Sequence, residues 1–365
     1  MTDTRSLYIG LMSGTSLDGV DGVLADFSNG AIQTVAAAFA PFPAELRSEL
    51  MALQAASHNE LEREALAANG LALAYAECVR ALLPSSPGPV AAVAVHGQTI
   101  RHRPELGFTR QTNNPALLAE LTGLDVIADF RSRDIAAGGQ GAPLVPAFHD
   151  AAFGKPGTAR VVVNIGGIGN ISVLHGDGRV TGFDTGPGNV LMDLWIGHHQ
   201  GRAYDEDGVW AASGAVHQPL LKQLLDEPYF SQPAPKSTGR DLFHEPWLNA
   251  RLAQFGDVAP NDVQATLTQL TAVTIARAIV DQGVTPDAVY VCGGGAYNGA
   301  LLRAISTELG GVKVASTTEL GVAPNRVEAL AFAWLGWRFA NREPGNLPAV
   351  TGARGLRILG ALYPA

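Results

Sequence analysis

The chain of 365 residues is 47% hydrophobic and 16% charged, with 42 glycines. That balance excludes a disordered chain, which needs low apolar content and high charge, and the length excludes a small domain held by staples. With 25 basic and 34 acidic residues the net charge is −9, which disfavours nucleic acid as a partner. Cys78 and Cys292 are the two cysteines, too few and too far apart for a zinc site or a disulfide framework. Met1 to Ser6 is polar and lacks the apolar core of a signal peptide. No apolar run reaches the roughly 20 residues that cross a bilayer. These features predict a cytoplasmic α/β enzyme with no membrane partner and about two domains.

Along the chain, Leu7–Met12 reads as a strand, Ser13–Gly19 as a turn, and Val20–Phe27 as a second strand. Ser28-Asn-Gly30 closes a hairpin onto a third strand, Ala31–Phe39. Residues 44–83 have helical spacing of Leu, Met and Ala. Val90–Val95 is a buried parallel-type strand that runs into a polar loop at His96–Thr99, and Asp125–Ala128 is another strand. The second half restarts the pattern: strands at Arg160–Ile165, Asn170–Leu174 and Arg179–Asp184, then helices near 187–199, 215–227 and 261–282. Pro286–Val291 is a strand entering Cys292-Gly-Gly-Gly295, followed by a helix at 298–309 and a strand at Val312–Ala315. The order β-β-β-α-β-α-β thus occurs twice. Its period is far too long for a solenoid, so it predicts two homologous α/β lobes with a ligand crevice between them.

Neither common phosphate motif is present. Gly154-Lys155 is followed by proline, which rules out a P-loop. The Gly293 and Gly167 clusters lack the third glycine of a dinucleotide fingerprint. Tight glycine turns still aim successive N–H groups at an anion. In the first, Ser13, Gly14, Thr15, Ser16, Leu17, Asp18, Gly19, Val20 and Asp21 bring hydroxyls and two carboxylates together. Asp18 and Asp21 suit Mg²⁺, directly or through water. The second turn offers Asn164, Gly166, Gly167, Gly169 and Asn170, and the third offers Gly293, Gly294, Gly295 and Asn298. An ordinary solvated turn is the alternative for the first cluster, but three hydroxyls, two acids and two glycines in nine residues favour function; Asn298 reads either as a ligand or as a helix N-cap.

Asp184, in Phe183-Asp-Thr-Gly-Pro-Gly-Asn189, ends a strand. It reads as a helix cap or as a general base, and Asn189 is the better-placed cap, which leaves Asp184 for chemistry. Asp193 either supports Asp184 or is a surface acid. His96, Gln98 and Arg131 follow strand ends in the first half, where open α/β sheets bind ligands. Glu328 opens an apolar helix, where an acid also favours the helix dipole.

The run Gly10–Asp21 resembles the opening signature of the bacterial anhydro-N-acetylmuramic acid kinase family. So do Val95–Thr99, Ala128–Arg131, Gly139–Pro146, Asn164–Asn170, Gly182–Asn189, the Gly293 cluster and Asn325–Glu328. The resemblance implies two duplicated actin-like ATPase lobes of ribonuclease H-like fold, with nucleotide and substrate in the interlobe cleft. It implies ATP-dependent opening of 1,6-anhydro-N-acetylmuramate and phosphorylation of O6, giving N-acetylmuramate 6-phosphate and ADP in cell-wall recycling. Asp184 would be the base, the glycine turns and Mg²⁺ would hold the phosphates, and Ser13, His96, Gln98, Arg131 and Glu328 would contact the sugar. Arg131 would pair with the lactyl carboxylate. A homodimer is also implied. The expected lobes are 1–135, with 341–365, and 136–340. A conventional sugar kinase, or a nucleotide switch or filament former on the same fold, is the rival reading.

Overall fold

The computed structural model describes residues 6–14 and 16–365, with Asn29 described by its backbone alone. In chain order the strands are β1 (Leu7–Met12), β2 (Gly19–Asp26), β3 (Gln33–Pro41), β4 (Ala92–Val95), β5 (Gln98–Arg103), β6 (Phe108–Thr112), β7 (Val126–Ala128), β8 (Arg160–Ile165), β9 (Ile168–Leu174), β10 (Val180–Pro187), β11 (Ala288–Cys292), β12 (Val314–Ser316) and β13 (Ala361–Tyr363).

The chain divides into two compact units: residues 1–148 with 326–365, and residues 149–325. The first holds a sheet of order β13-β7-β4-β1-β2-β3, the second a sheet of order β10-β9-β8-β11-β12. In each, three strands form an antiparallel meander. The next strand then lies parallel to the first of them, and a last one parallel to that. With β13 set aside, the two orders coincide: this is the ribonuclease H-like lobe, built twice in an α/β chain.

Local sequence explains the buried strands. Val161, Val162, Val163 and Ile165 of β8 are fully buried, as expected of a central strand covered on both faces. β1 follows the same rule, with Ile9 and Leu11 fully buried. The helix Pro260–Val280 lies against β9 and β10, with Leu270, Ala272, Ile275 and Ile279 in the core of its lobe.

Several expectations need correction. Residues 44–83 form two helices, Ala44–Ala52 and Glu60–Leu82. They are separated at Asn59, whose φ of 52° no helix accommodates. The polar His96–Thr99 loop is short, because Gln98 already begins the β5–β6 hairpin. The lobe boundaries fall at 148/149 and 325/326 rather than at 135/136 and 340/341. The helix Val327–Ala340 packs on β1, β2 and β4, so it belongs to the first lobe and not the second. Finally, among the described residues two helices are long and apolar enough to cross a membrane, Glu60–Ser85 and Pro260–Val280. Their most apolar windows are 56% and 83% buried: a core helix meets the same length and composition as a membrane span.

Gly10 makes the first-lobe packing possible. A Cβ there would overlap backbone atoms of Ala329 and Ala333, so β1 and the helix touch backbone to backbone. Gly10→Ala is expected to lower stability by roughly 3 kcal/mol, read as a fall in the urea midpoint at unchanged slope; a midpoint within experimental error of the parent would contradict this packing account.

Candidate active site

In the first lobe the turn after β1 is pinned from below. Ser13 is 1% exposed; its Oγ donates to Gly97 O (3.2 Å) and so accepts from Tyr75 OH (2.8 Å). Its hydroxyl thus helps to hold the turn. Gln98 Nε2 donates to Gly14 O (3.2 Å). Leu17 and Val20 are core residues, 1% and 0% exposed, so only their backbones are available to a phosphate. Leu17 holds φ at 56°, a conformation of about 1–3 kcal/mol strain for such a side chain, and strain of this kind gathers at ligand loops. Ser16 Oγ donates to Asp18 Oδ1 (2.6 Å). Thr15 lies outside the described residues.

His96 is buried, and burial followed by the nearby Arg131 cation holds its pKa well below the usual histidine range. It is neutral at physiological pH. Arg131 Nε donates to His96 Nε2 (3.0 Å), which places the histidine proton on Nδ1, a buried atom with no hydrogen-bond partner. Gln98 Oε1 is orphaned in the same way. Buried polar atoms left unmatched are uncommon and call for a ligand or water. Arg131 also donates from Nη1 to Gly141 O (2.7 Å). Two of its donors therefore serve the lobe itself.

One residue missed from the sequence joins this group. Both side-chain polar atoms of Asn113 are buried without a partner, and a Cβ on Gly97 would contact Asn113 Cβ. The neighbouring Asn114 caps the next helix through Leu117 N. The signal lay in Asn113-Asn114-Pro115, where one asparagine suffices as the cap.

In the second lobe, ladder register assembles the site. Asn164 of β8 lies opposite Asn170 of β9, and Asn170 lies opposite Asp184 of β10. Residues on one rung share a sheet face, so two amides and one carboxylate form a row. The Oδ1 atoms of Asn164 and Asn170 are buried and unmatched. The ladder is irregular between Asp184 and Gly186, a bulge of the kind that re-aims a side chain. Asp184 Oδ2 accepts from Thr238 N–H (3.0 Å). Asn189, expected as the cap of the helix Val190–Gln200, makes no capping bond and donates instead to Ile165 O (3.3 Å). The N–H groups of Gly188, Asn189 and Val190 turn back onto the Gly167 and Gly166 carbonyls, fixing the β8–β9 turn to the end of β10.

The glycines sort into two kinds. A Cβ on Gly14 would meet nothing within 4 Å, and one on Gly166 would meet only Ile168 O at 3.8 Å; both border open space. A Cβ on Gly19, Gly293 or Gly295 would strike neighbouring protein atoms, and one on Gly169 would crowd Thr185 Oγ1. Packing alone therefore demands these four. Asn298 resolves as an N-cap: its Oδ1 accepts from Leu301 N (3.0 Å), while Asp207 takes Gly299 N–H (2.8 Å). That helix terminus is satisfied internally. Asp193 has burial, then Arg240 and Asp205, as the influences on its carboxyl, which is raised to about 7; it is not a surface acid.

The family profile described as anhydro-N-acetylmuramic acid kinase matches residues 6–365. The chain is 58% identical to the anhydro-N-acetylmuramic acid kinase of Burkholderia lata over 98% of its own length and 96% of the relative's. It is 58% identical to the enzyme of that name from Paraburkholderia xenovorans, covering 98% of each. Among solved structures it is similar to the activator of 2-hydroxyisocaproyl-CoA dehydratase from Clostridium difficile with bound ADPNP: 13% identity, TM-score 0.47, covering 92% of this chain and 96% of that one. Matched by the kinase profile along nearly all of its length, the chain belongs to the anhydro-N-acetylmuramic acid kinase family.

Proposed function

We propose that this kinase opens its anhydro-sugar with water that Asp184 activates. The carrying observation is the Asp184 carboxylate on the Asn164–Asn170–Asp184 rung, within β10 rather than at its end as expected, since the strand runs on to Pro187 past the irregular step, and oriented through Oδ2 by Thr238 N–H. A general base needs a carboxylate held in one orientation within hydrogen-bond reach of the proton it takes. The proton of water passes to Asp184 as the water oxygen bonds to the anomeric carbon. The bond from that carbon to the bridge oxygen breaks, and the oxygen released as O6 takes the γ-phosphoryl group of ATP. ADP leaves with the electron pair of the broken P–O bond. Phosphoryl transfer asks for alignment and charge neutralisation more than covalent chemistry.

For the sugar, the orphaned atoms of His96, Gln98 and Asn113 and the carboxylate of Glu328 are the donor and acceptor set this reading uses. The phosphates are assigned to the turn backbone at 14–21 and to the β8–β9 turn, whose open glycines, Gly14 and Gly166, leave room for close approach. Asp18 and Asp21 are the residues that would hold Mg²⁺, which would supply phosphate charge neutralisation. The donor set fits: burial raises the Asp21 carboxyl to about 7, helped by the charges of Asp18 and Glu328 and opposed by Arg326. Clustered carboxylates of this kind suit a hard cation. No group of three or more described His, Cys, Asp or Glu residues is placed to hold a metal alone, in keeping with an ion that takes one or two carboxylates and completes its shell with phosphate and water. We extend the reading to a cytoplasmic homodimer, on the family resemblance.

Three outcomes are expected. Turnover in water enriched in oxygen-18, followed by a coupled ADP assay with Mg-ATP and 1,6-anhydro-N-acetylmuramate, should place the label at C1 of the product; an unlabelled product would mean a conventional hydroxyl kinase. Asp184→Asn should lower kcat by about 10²–10⁴-fold, and retention within about tenfold would remove the base assignment. The third concerns pH. Since folding raises the Asp21 pKa from 3.8 to about 7, its contribution favours the native state at low pH and is lost as pH rises to 7. The melting temperature of ligand-free Asp21→Asn, minus that of the parent, should therefore climb between pH 4 and pH 7 and then level off; a flat difference would contradict it.

A further inference from the structure

We propose that Lys236 is a positioning residue for Asp184, the clasp of a strap that runs over the free edge of β10; this rests on Asp184 being the base. β10 is the edge strand of its sheet, so nothing in the ladder itself holds Asp184 on its outer side. The segment 227–238 does so at three points. Tyr229 OH donates to the Asp184 carbonyl (2.6 Å), Asp184 N–H donates to Lys236 O (3.3 Å), and Thr238 N–H donates to Asp184 Oδ2 (3.0 Å).

The far end of the strap would hang from its backbone but for Lys236. Its Nζ reaches back to Tyr229 O (3.2 Å) and Phe230 O (3.1 Å). It also sits 4.8 Å from the Tyr229 ring centroid and 5.5 Å from that of Phe183, the residue before Asp184. One ammonium thus ties the two ends of the loop together and to β10. The near end is anchored independently. Glu227 Oε2 accepts from Trp247 Nε1 (2.8 Å) and Arg251 Nη2 (2.7 Å), and Phe230 lies against Gly186, where a Cβ would strike its ring. Removing the lysine charge leaves that anchor intact and frees residues 236–238, the stretch that presents Thr238 N–H to the carboxylate.

A loosened carboxylate costs the chemical step and not binding. Misplacement of a reacting group by about 1 Å can cost about 10²-fold. Lys236→Met in the full-length enzyme is expected to lower kcat about tenfold or more, with the KM values for ATP and anhydro-sugar within about twofold. Lys236→Arg, which keeps a cation able to reach two carbonyls, is expected to recover most of the loss. Unchanged kcat in Lys236→Met, equal losses in kcat and binding, or no rescue by arginine would each overturn the proposal. Should Lys236→Met fail to fold by thermal melting, Tyr229→Phe carries the same test: it removes one hydroxyl, and unchanged kcat there would overturn the strap. Failure of the base reading is separate, because it shows as retained turnover in Asp184→Asn whatever the lysine variants do.

Discussion

The β8–β9–β10 ladder is the interaction on which the site depends. Register in an antiparallel meander is all-or-none: a slip of one residue would turn Asp184 to the opposite face and part it from Asn164 and Asn170. The slip is forbidden by the apolar residues on the same strands. Val161, Val163, Ile171 and Val173 are fully buried, and each fully buried aliphatic side chain is worth about 1.5–3 kcal/mol. The two amides of the row are therefore positioned by their neighbours, which leaves their Oδ1 atoms unmatched.

Much of this was legible in the chain. Glycine-punctuated apolar runs gave the strand order, and its repetition gave two lobes, because a central strand must be apolar along its whole length and a meander needs tight turns. Asp184 stood out because Gly186-Pro187-Gly188 suggested a strand end beside it, although β10 continues through the bulge to Pro187. Other features were hidden for physical reasons. The helix Val327–Ala340 is apolar enough for either lobe, and its packing on β1, β2 and β4, close at Gly10, decides its place. The β5–β6 hairpin, with Arg101, Arg103 and Arg110 along it, lacks the apolar alternation by which strands are recognised. Lys236 meets Asp184 across 52 positions of sequence and through its backbone, which no residue type signals. Asn298 reads the same as cap or ligand until Leu301 N–H is seen to claim it.

The first lobe uses its polar residues differently. His96 and Arg131 form a neutral–cation pair in which the arginine sets the histidine tautomer. Ser13 and Tyr75 do for the turn what Thr238 does for Asp184: they hold it in one orientation. The unmatched atoms of His96, Gln98 and Asn113 are the counterpart of the Asn164 and Asn170 oxygens. Each lobe thus carries unsatisfied polarity beside a rigid scaffold, which is the preorganised state that binding and chemistry exploit.

The free edge of β10 has a further consequence. An uncovered strand edge offers a row of N–H and C=O groups to any other extended chain, and so invites aggregation. At Asp184 the Lys236 carbonyl and the Tyr229 hydroxyl fill two of those positions. The strap is therefore also a guard against intermolecular strand pairing. Keeping this enzyme soluble and keeping its carboxylate aimed are tasks of the same few residues, so selection for solubility alone would tend to preserve them.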